Sequence, residues 1–192
     1  MIRPFKPFPV LKTERLILKK LNHTHIQPIY EYQSNKSNFV HVDMPIYTSI
    51  SDASNYVTKM NEGIDSYKWI IWAICLKESE TLIGTISIWN LDEEENIAEL
   101  GYGIFPQFRG KGYMQETLKL IEQYALFTMK LDCLQAYTSK TNLDSIKLLE
   151  HLEFDYLKTV VDTDTTSRTP IEMVVYKKCP HQLKENVNIT TR

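Results

Sequence analysis

Residues 98–114 read AELGYGIFPQFRGKGYM, and how this stretch is read decides the fold. Its first half alternates, putting Ala98, Leu100, Tyr102 and Ile104 on one face of an extended chain and Ile97, Glu99, Gly101 and Gly103 on the other. Its second half places Gly110 and Gly112 one residue apart, flanked by Arg109 and Lys111. From Met114 onward, Leu118, Ile121, Ala125 and Met129 follow at spacings of four, three, four and four, the period of an amphipathic helix. The stretch is therefore a strand, a glycine loop and a helix N-terminus, where inward-pointing amides and the helix dipole favour negative charge. On shape alone, an ordinary glycine-rich turn with Arg109 and Lys111 solvated fits equally well.

Position counting removes two kinds of phosphate loop. A Walker A loop needs glycine five residues before Gly110 and a hydroxyl after Lys111, and those positions hold Phe105 and Gly112. A dinucleotide fingerprint needs a third glycine where Gln115 stands, and no second βαβ half completes a Rossmann domain. The two strand glycines, Gly101 and Gly103, share the face of Glu99, and interior strand glycines mark the close approach of a ligand or another backbone, or else a bulge or tight packing.

Working outward, Thr13 to Leu21 reads as a first strand, and the region from Thr24 to Gly63 holds two loosely patterned helices around HVDMPIYTSISD. Lys68 to Leu76 and Thr81 to Leu91 form a hairpin around KESE, and NLDEEEN turns into a third antiparallel strand, Ile97 to Ile104. After the glycine loop and its helix come a strand at Cys133 to Thr138 and a helix from Asn142 to about Leu152. Two strands, Tyr156 to Val161 and Glu172 to Lys177, flank DTDTTSRTP. The sum is about seven strands and four helices in one mixed sheet.

With 192 residues, 43% of them hydrophobic, the chain has material for one sizeable core, so a single domain over 1–179 with a polar tail at 180–192 is expected. A formal charge of −2 gives no global field for DNA, RNA or an acidic membrane. Cys75, Cys133 and Cys179 are an odd, scattered set with no C-x-x-C pair, which suggests neither a disulfide framework nor a zinc site and fits a reducing cytoplasm. The longest apolar run, WIIWAICL, is far too short to span a bilayer.

The loop also fits Q/R-x-x-G-x-G/A, with Gln107, Gly110 and Gly112 in place, and here the chain resembles the GNAT superfamily of N-acetyltransferases. TERLIL near the start, LIGTISI at Leu82 to Ile88, AELGYGIFP at Ala98 to Pro106, GYMQE at Gly112 to Glu116 and TNLDSIKLLEHLEF at Thr141 to Phe154 are similar, in order, to its RimJ/RimL-type branch. The resemblance implies a GNAT-like α/β (α+β) fold, a mostly antiparallel sheet with helices on both faces. It implies direct transfer of an acetyl group from acetyl-CoA, as co-substrate and without a metal, to a primary amine. The acceptor would be a protein N-terminal α-amine or a small-molecule amine, and a homodimer is in keeping with the branch. A non-catalytic acyl-CoA-binding domain and a nucleotide-binding loop stand as alternatives.

Residue by residue, the resemblance puts pyrophosphate on the amides of Arg109, Gly110, Lys111, Gly112, Tyr113 and Met114, near Gln107. The pantetheine arm would lie along the strand ending at Ile104 and Phe105, with Asn142 in contact, although Asn is also a preferred N-cap. Glu99 is the leading general base, its pKa raised by burial; Asp164, or its neighbour Asp162, is the rival. The tyrosine that often protonates the leaving thiolate is missing, since Leu149 holds its place, and Ser145 is the hydroxyl offered instead. Glu153 stands where a glycine usually takes a left-handed helix ending, so either the helix ends differently or Glu153 accepts strain. The acceptor pocket is expected between Thr24 and Gly63 and the loop joining the last strands, with Tyr30, Tyr32, Phe39 and Tyr47 as candidate lining.

Overall fold

A computed structural model describes residues 5–163 and 169–180. Its strands are β1 (Leu11–Lys12), β2 (Leu16–Lys19), β3 (Ile70–Leu76), β4 (Leu82–Asp92), β5 (Ile97–Ile104), β6 (Cys133–Ser139), β7 (Asp155–Asp162) and β8 (Ile171–Lys178). Its helices are α1 (Ile26–Gln33), α2 (Ile50–Asp65), α3 (Tyr113–Gln123) and α4 (Leu143–His151). All eight strands join one sheet in the order β1-β2-β3-β4-β5-β6-β8-β7. Every neighbouring pair is antiparallel except β5 and β6. The strand beyond the expected seven is β1, a two-residue bridge too short to leave a periodic signal.

The central strand β3 is buried on both faces, which explains why IIWAICL runs apolar without alternation. The stripe after the glycine loop is buried as its spacing requires: Leu118 and Ile121 on α3, then Ala125 and Met129, are at most 1% exposed. The α-helix itself stops at Gln123 and a π-helical turn, Tyr124–Thr128, carries the stripe onward. Tyr32 of α1 lies beside Gly103, and the Ser145 hydroxyl of α4 meets Tyr102. Adjacent strand residues point to opposite faces, so α1 and α4 cover opposite sides of the sheet.

Two local features answer questions left by the sequence. Helix α4 ends in the left-handed manner without glycine: Glu153 takes φ 59°, and the nearly buried Lys178 ammonium donates to the carbonyls of Leu152 (3.0 Å) and Glu153 (3.2 Å). The expectation of unpaired cysteines is corrected, because Cys133 and Cys179 form a disulfide. The pairing of Leu134 with Lys178 across β6 and β8 brings these distant residues opposite each other, a register that cysteine spacing cannot express. Among the described residues no helix is long and apolar enough to cross a membrane. Of the tail expected at 180–192, all but Pro180 lies outside the described residues.

Candidate active site

Strands β5 and β6 run parallel from Ile97 opposite Cys133 to Leu100 opposite Ala136, and there the ladder ends. Beyond it β5 stays paired with β4 through Ile104, while β6 follows β8 through Ser139. The two strands diverge into a wedge. Along its β5 side, Gly101 to Ile104 offers main-chain donors and acceptors to an extended guest, as a sheet edge does.

The wide end of the wedge leads into the glycine loop through Phe105 and a 3-10 turn, Pro106–Phe108. Gly110 (φ 71°) and Gly112 (φ 77°) are both left-handed, and Gly112 is the N-cap of α3. A Cβ on Gly110 would meet nothing within 4 Å, so glycine is needed there for backbone conformation, not for lack of space. Arg109 and Lys111 are turned aside: the Arg109 Nε donates to the Ile104 carbonyl (3.4 Å), and the Lys111 ammonium lies 5.5 Å from the Phe108 ring. The Met114 side chain is buried, whereas Gln107 is exposed.

A residue that sequence reasoning missed anchors this loop. Arg15, in the turn leading into β2, donates through Nε to Glu116 Oε2 (2.7 Å) and through Nη1 to the Lys111 carbonyl (3.0 Å), and its guanidinium lies over the Tyr113 ring. Glu116 is held below the ordinary carboxylate range: burial raises it, but hydrogen bonds from Thr13 and Arg15 outweigh that. TERLIL and GYMQE therefore belong together because one carries the cation and the other the carboxylate that ties the loop to the sheet.

Glu99 lies one residue before the point where β5 and β6 part. The β4–β5 register shifts between Trp89 and Asp92, and in this bulge Asn90, at φ 47°, donates its side-chain amide to Glu99 Oε1. Burial raises the Glu99 pKa and the Asn90 hydrogen bond partly opposes it. Gln135 is its β6 neighbour, and the Glu99 charge adds to the burial that raises Tyr137. The expected glycine groove is half right. A Cβ on Gly101 would sit 2.8 Å from Ser87 Oγ, so Gly101 serves close packing, and Gly103 alone opens, toward the Tyr32 hydroxyl.

On the other face Asn142 caps α4, its Oδ1 accepting from the Ser145 N–H (3.2 Å). Ser145 Oγ lies 2.8 Å from the Tyr102 hydroxyl, which reaches across from β5. Leu149, one turn on, is fully buried in the core.

A cleft of about 490 Å³ opens nearby, lined by Phe39 to Asp43, Ser139 to Thr141 and Thr169 to Glu172. His41 Nδ1 meets Thr141 Oγ1 (3.0 Å), which also meets Ser139 Oγ (2.9 Å), and Lys140 pairs with Glu172 (3.2 Å). Of the four expected aromatics Phe39 lines the cleft; Tyr32 stacks on Phe105, Tyr47 packs near Tyr56, and Tyr30 leans on the core. Asp162 ends β7 opposite Ile171, and Asp164 lies outside the described residues. Among the described residues no three His, Cys, Asp or Glu gather as a metal site.

Comparison with known proteins agrees with this architecture. Residues 15–155 match the family described as the acetyltransferase (GNAT) domain. The chain belongs to this family and is an N-acetyltransferase, an acyltransferase enzyme. It is 28% identical over 144 residues to the uncharacterized N-acetyltransferase p20 of Bacillus licheniformis, covering 75% of this chain and 81% of that protein. RimL, a ribosomal-protein alpha-N acetyltransferase solved with coenzyme A, is 14% identical with a TM-score of 0.79 over 89% of this chain and 98% of that one. MccE, the microcin self-immunity acetyltransferase solved with acetyl-CoA and AMP, is 18% identical with a TM-score of 0.79 over 87% and 93%. At these identities the structural likenesses speak for the fold alone.

Proposed function

We propose that this enzyme transfers an acetyl group from acetyl-CoA directly to a primary amine in a ternary complex, as a member of the RimJ/RimL-like branch. The observation that carries the reading is the wedge: a free β5 edge leads straight from left-handed Gly110 and Gly112 to Glu99. The pyrophosphate rests on amides from Arg109 to Met114, the pantetheine arm lies along Gly101 to Ile104, and the thioester reaches the point where the strands part. RimL and MccE were solved with coenzyme A and acetyl-CoA, which supports the same donor here.

Three tasks remain for the side chains. Glu99, its pKa raised by burial, takes the proton from the attacking ammonium, directly or through water. Ser145 hydrogen-bonds the departing sulfur. The cleft beside the α4 entry receives the acceptor, a protein N-terminus or a small amine. Its wall is mixed, with Asp43 and the Lys140–Glu172 pair beside the apolar Phe39 and Ile171, room for the polar end and the stem of an amine. An acetyl-enzyme is set aside on chemistry: Cys133 and Cys179 are bonded, and burial pushes the Cys75 thiol up to about 11, away from the nucleophilic thiolate.

Thiol release from acetyl-CoA against a panel of peptides and amines tests the reading. Glu99→Gln and Ser145→Ala are expected to lower kcat at least tenfold, roughly the size of one lost proton-transfer or hydrogen-bonding group. Binding of acetyl-CoA without thiol release for any acceptor, and without an effect of either substitution, would refute it. Asn90→Ala provides a pH test. Loss of the hydrogen bond that lowers Glu99 leaves burial unopposed, so the acidic limb of kcat is expected to move to higher pH. An unmoved limb would remove Glu99 as the base.

A further inference from the structure

We propose that Tyr102 is a positioning residue for the leaving thiolate, acting through Ser145; the inference rests on the acetyl-transfer reading above. Tyr102 stands two residues past Leu100, the last β5 residue paired with β6, so its ring leaves the strand where the wedge is open. Its hydroxyl lies 2.8 Å from Ser145 Oγ in the first turn of α4, and the contact therefore spans from strand to helix.

Each hydroxyl carries one proton and can both give and accept. When Tyr102 donates to Ser145 Oγ, the serine proton is left to point into the wedge, where the thioester sulfur lies. The Ser145 amide is tied to Asn142 Oδ1 (3.2 Å) and its hydroxyl to Tyr102, so the donor is fixed at both ends before substrate arrives. The next residue on the same helical face, Leu149, is fully buried and offers no hydroxyl of its own.

Burial holds the Tyr102 phenol up at about 12, the Ser145 hydrogen bond opposing it. A thiol loses its proton at about 8.5, so the departing thiolate does not take the phenolic proton. Tyr102 holds the donor in place and is not spent as an acid. As the C–S bond breaks its electron pair moves onto sulfur, the Ser145 O–H hydrogen-bonds the thiolate, and the thiolate takes a proton from water as it leaves. The proton lost by the amine goes to Glu99.

Tyr102→Phe keeps the ring and removes the hydroxyl. The decisive measurement needs no acceptor: the thiol of CoA bound to the protein is titrated through the ultraviolet absorbance of its thiolate. The bound thiol is expected to titrate about one pH unit higher in Tyr102→Phe than in the parent, a tenfold weaker hold on the thiolate. In turnover kcat is expected to fall about tenfold with the KM for acetyl-CoA unchanged, and Tyr102→Phe with Ser145→Ala together to be no slower than Ser145→Ala alone. An unchanged thiol titration, a loss confined to KM, or a double variant whose losses multiply would overturn the proposal. Failure of CoA to bind the parent protein would instead overturn the acetyl-transfer reading, and this proposal with it.

Discussion

Gly110 and Lys111 are adjacent but separate two ways of holding an anion. Holding a side chain at φ 71° costs about 1–2 kcal/mol and turns the loop amides away, so Gly110→Val is expected to weaken CoA binding more than tenfold. Lys111 is an exposed charge of the kind worth about 0.2–1 kcal/mol, and Lys111→Ala is expected to cost about threefold. Isothermal titration calorimetry distinguishes the two, and equal small losses would mean that the amides are not the ligands. Glu153 carries strain of the same origin. Glu153→Gly relieves about 1–2 kcal/mol of left-handed strain, offset by about 0.5–1 kcal/mol of added freedom in the unfolded glycine. The contact of Lys178 with the Glu153 carboxylate, 76% exposed, adds little against this. Urea denaturation should show a gain of roughly 0.5–1 kcal/mol, and a loss would show that the ion pair outweighs the strain.

Arg15 shows how elements far apart in the chain share one task. Its fork joins the turn before β2 to the first turn of α3 and to the carbonyl between the two loop glycines, so the loop's shape depends on the sheet edge. Arg15→Ala is expected to weaken CoA binding roughly tenfold, about 1.4 kcal/mol, while leaving kcat at saturating acetyl-CoA near the parent value. A fall in kcat with CoA affinity intact would contradict that role. The strand, loop and helix around Glu99 and Gly110 were legible because alternation, glycine spacing and a helical stripe each leave a local period. The disulfide, the Arg15–Glu116 fork and the Tyr102–Ser145 contact were not, since each joins residues forty or more positions apart, the first through strand register and the others through helices packed on the sheet. The α3 stripe was legible through Met129, but the change to a π-helical turn was not, because both helix types bury the same face.

For the molecule as a whole, a buried imidazole adds to the acid sensitivity that depressed carboxylates such as Glu116 bring. Burial first, then the charges of Lys19 and His23, pushes His25 down to about 4 from an ordinary 6.5. Between those values the unfolded chain binds a proton that the folded chain refuses, so the His25 contribution to stability is complete above about pH 6.5 and falls as the pH drops toward 4. The loss is on the order of 3 kcal/mol. Denaturation midpoints across that window should show the decline, and His25→Gln should flatten it; an unchanged slope would place the acid sensitivity elsewhere. Read alone, the sequence showed the family, the order of the elements and the glycine loop that opens α3, because these rest on periods and spacings within a few dozen residues. Only the tertiary structure decided where β5 and β6 part, which hydroxyl faces Ser145, what ties the loop to the sheet and where the cleft opens. Those depend on the register and twist of strands brought together from the whole chain, and no local pattern encodes them.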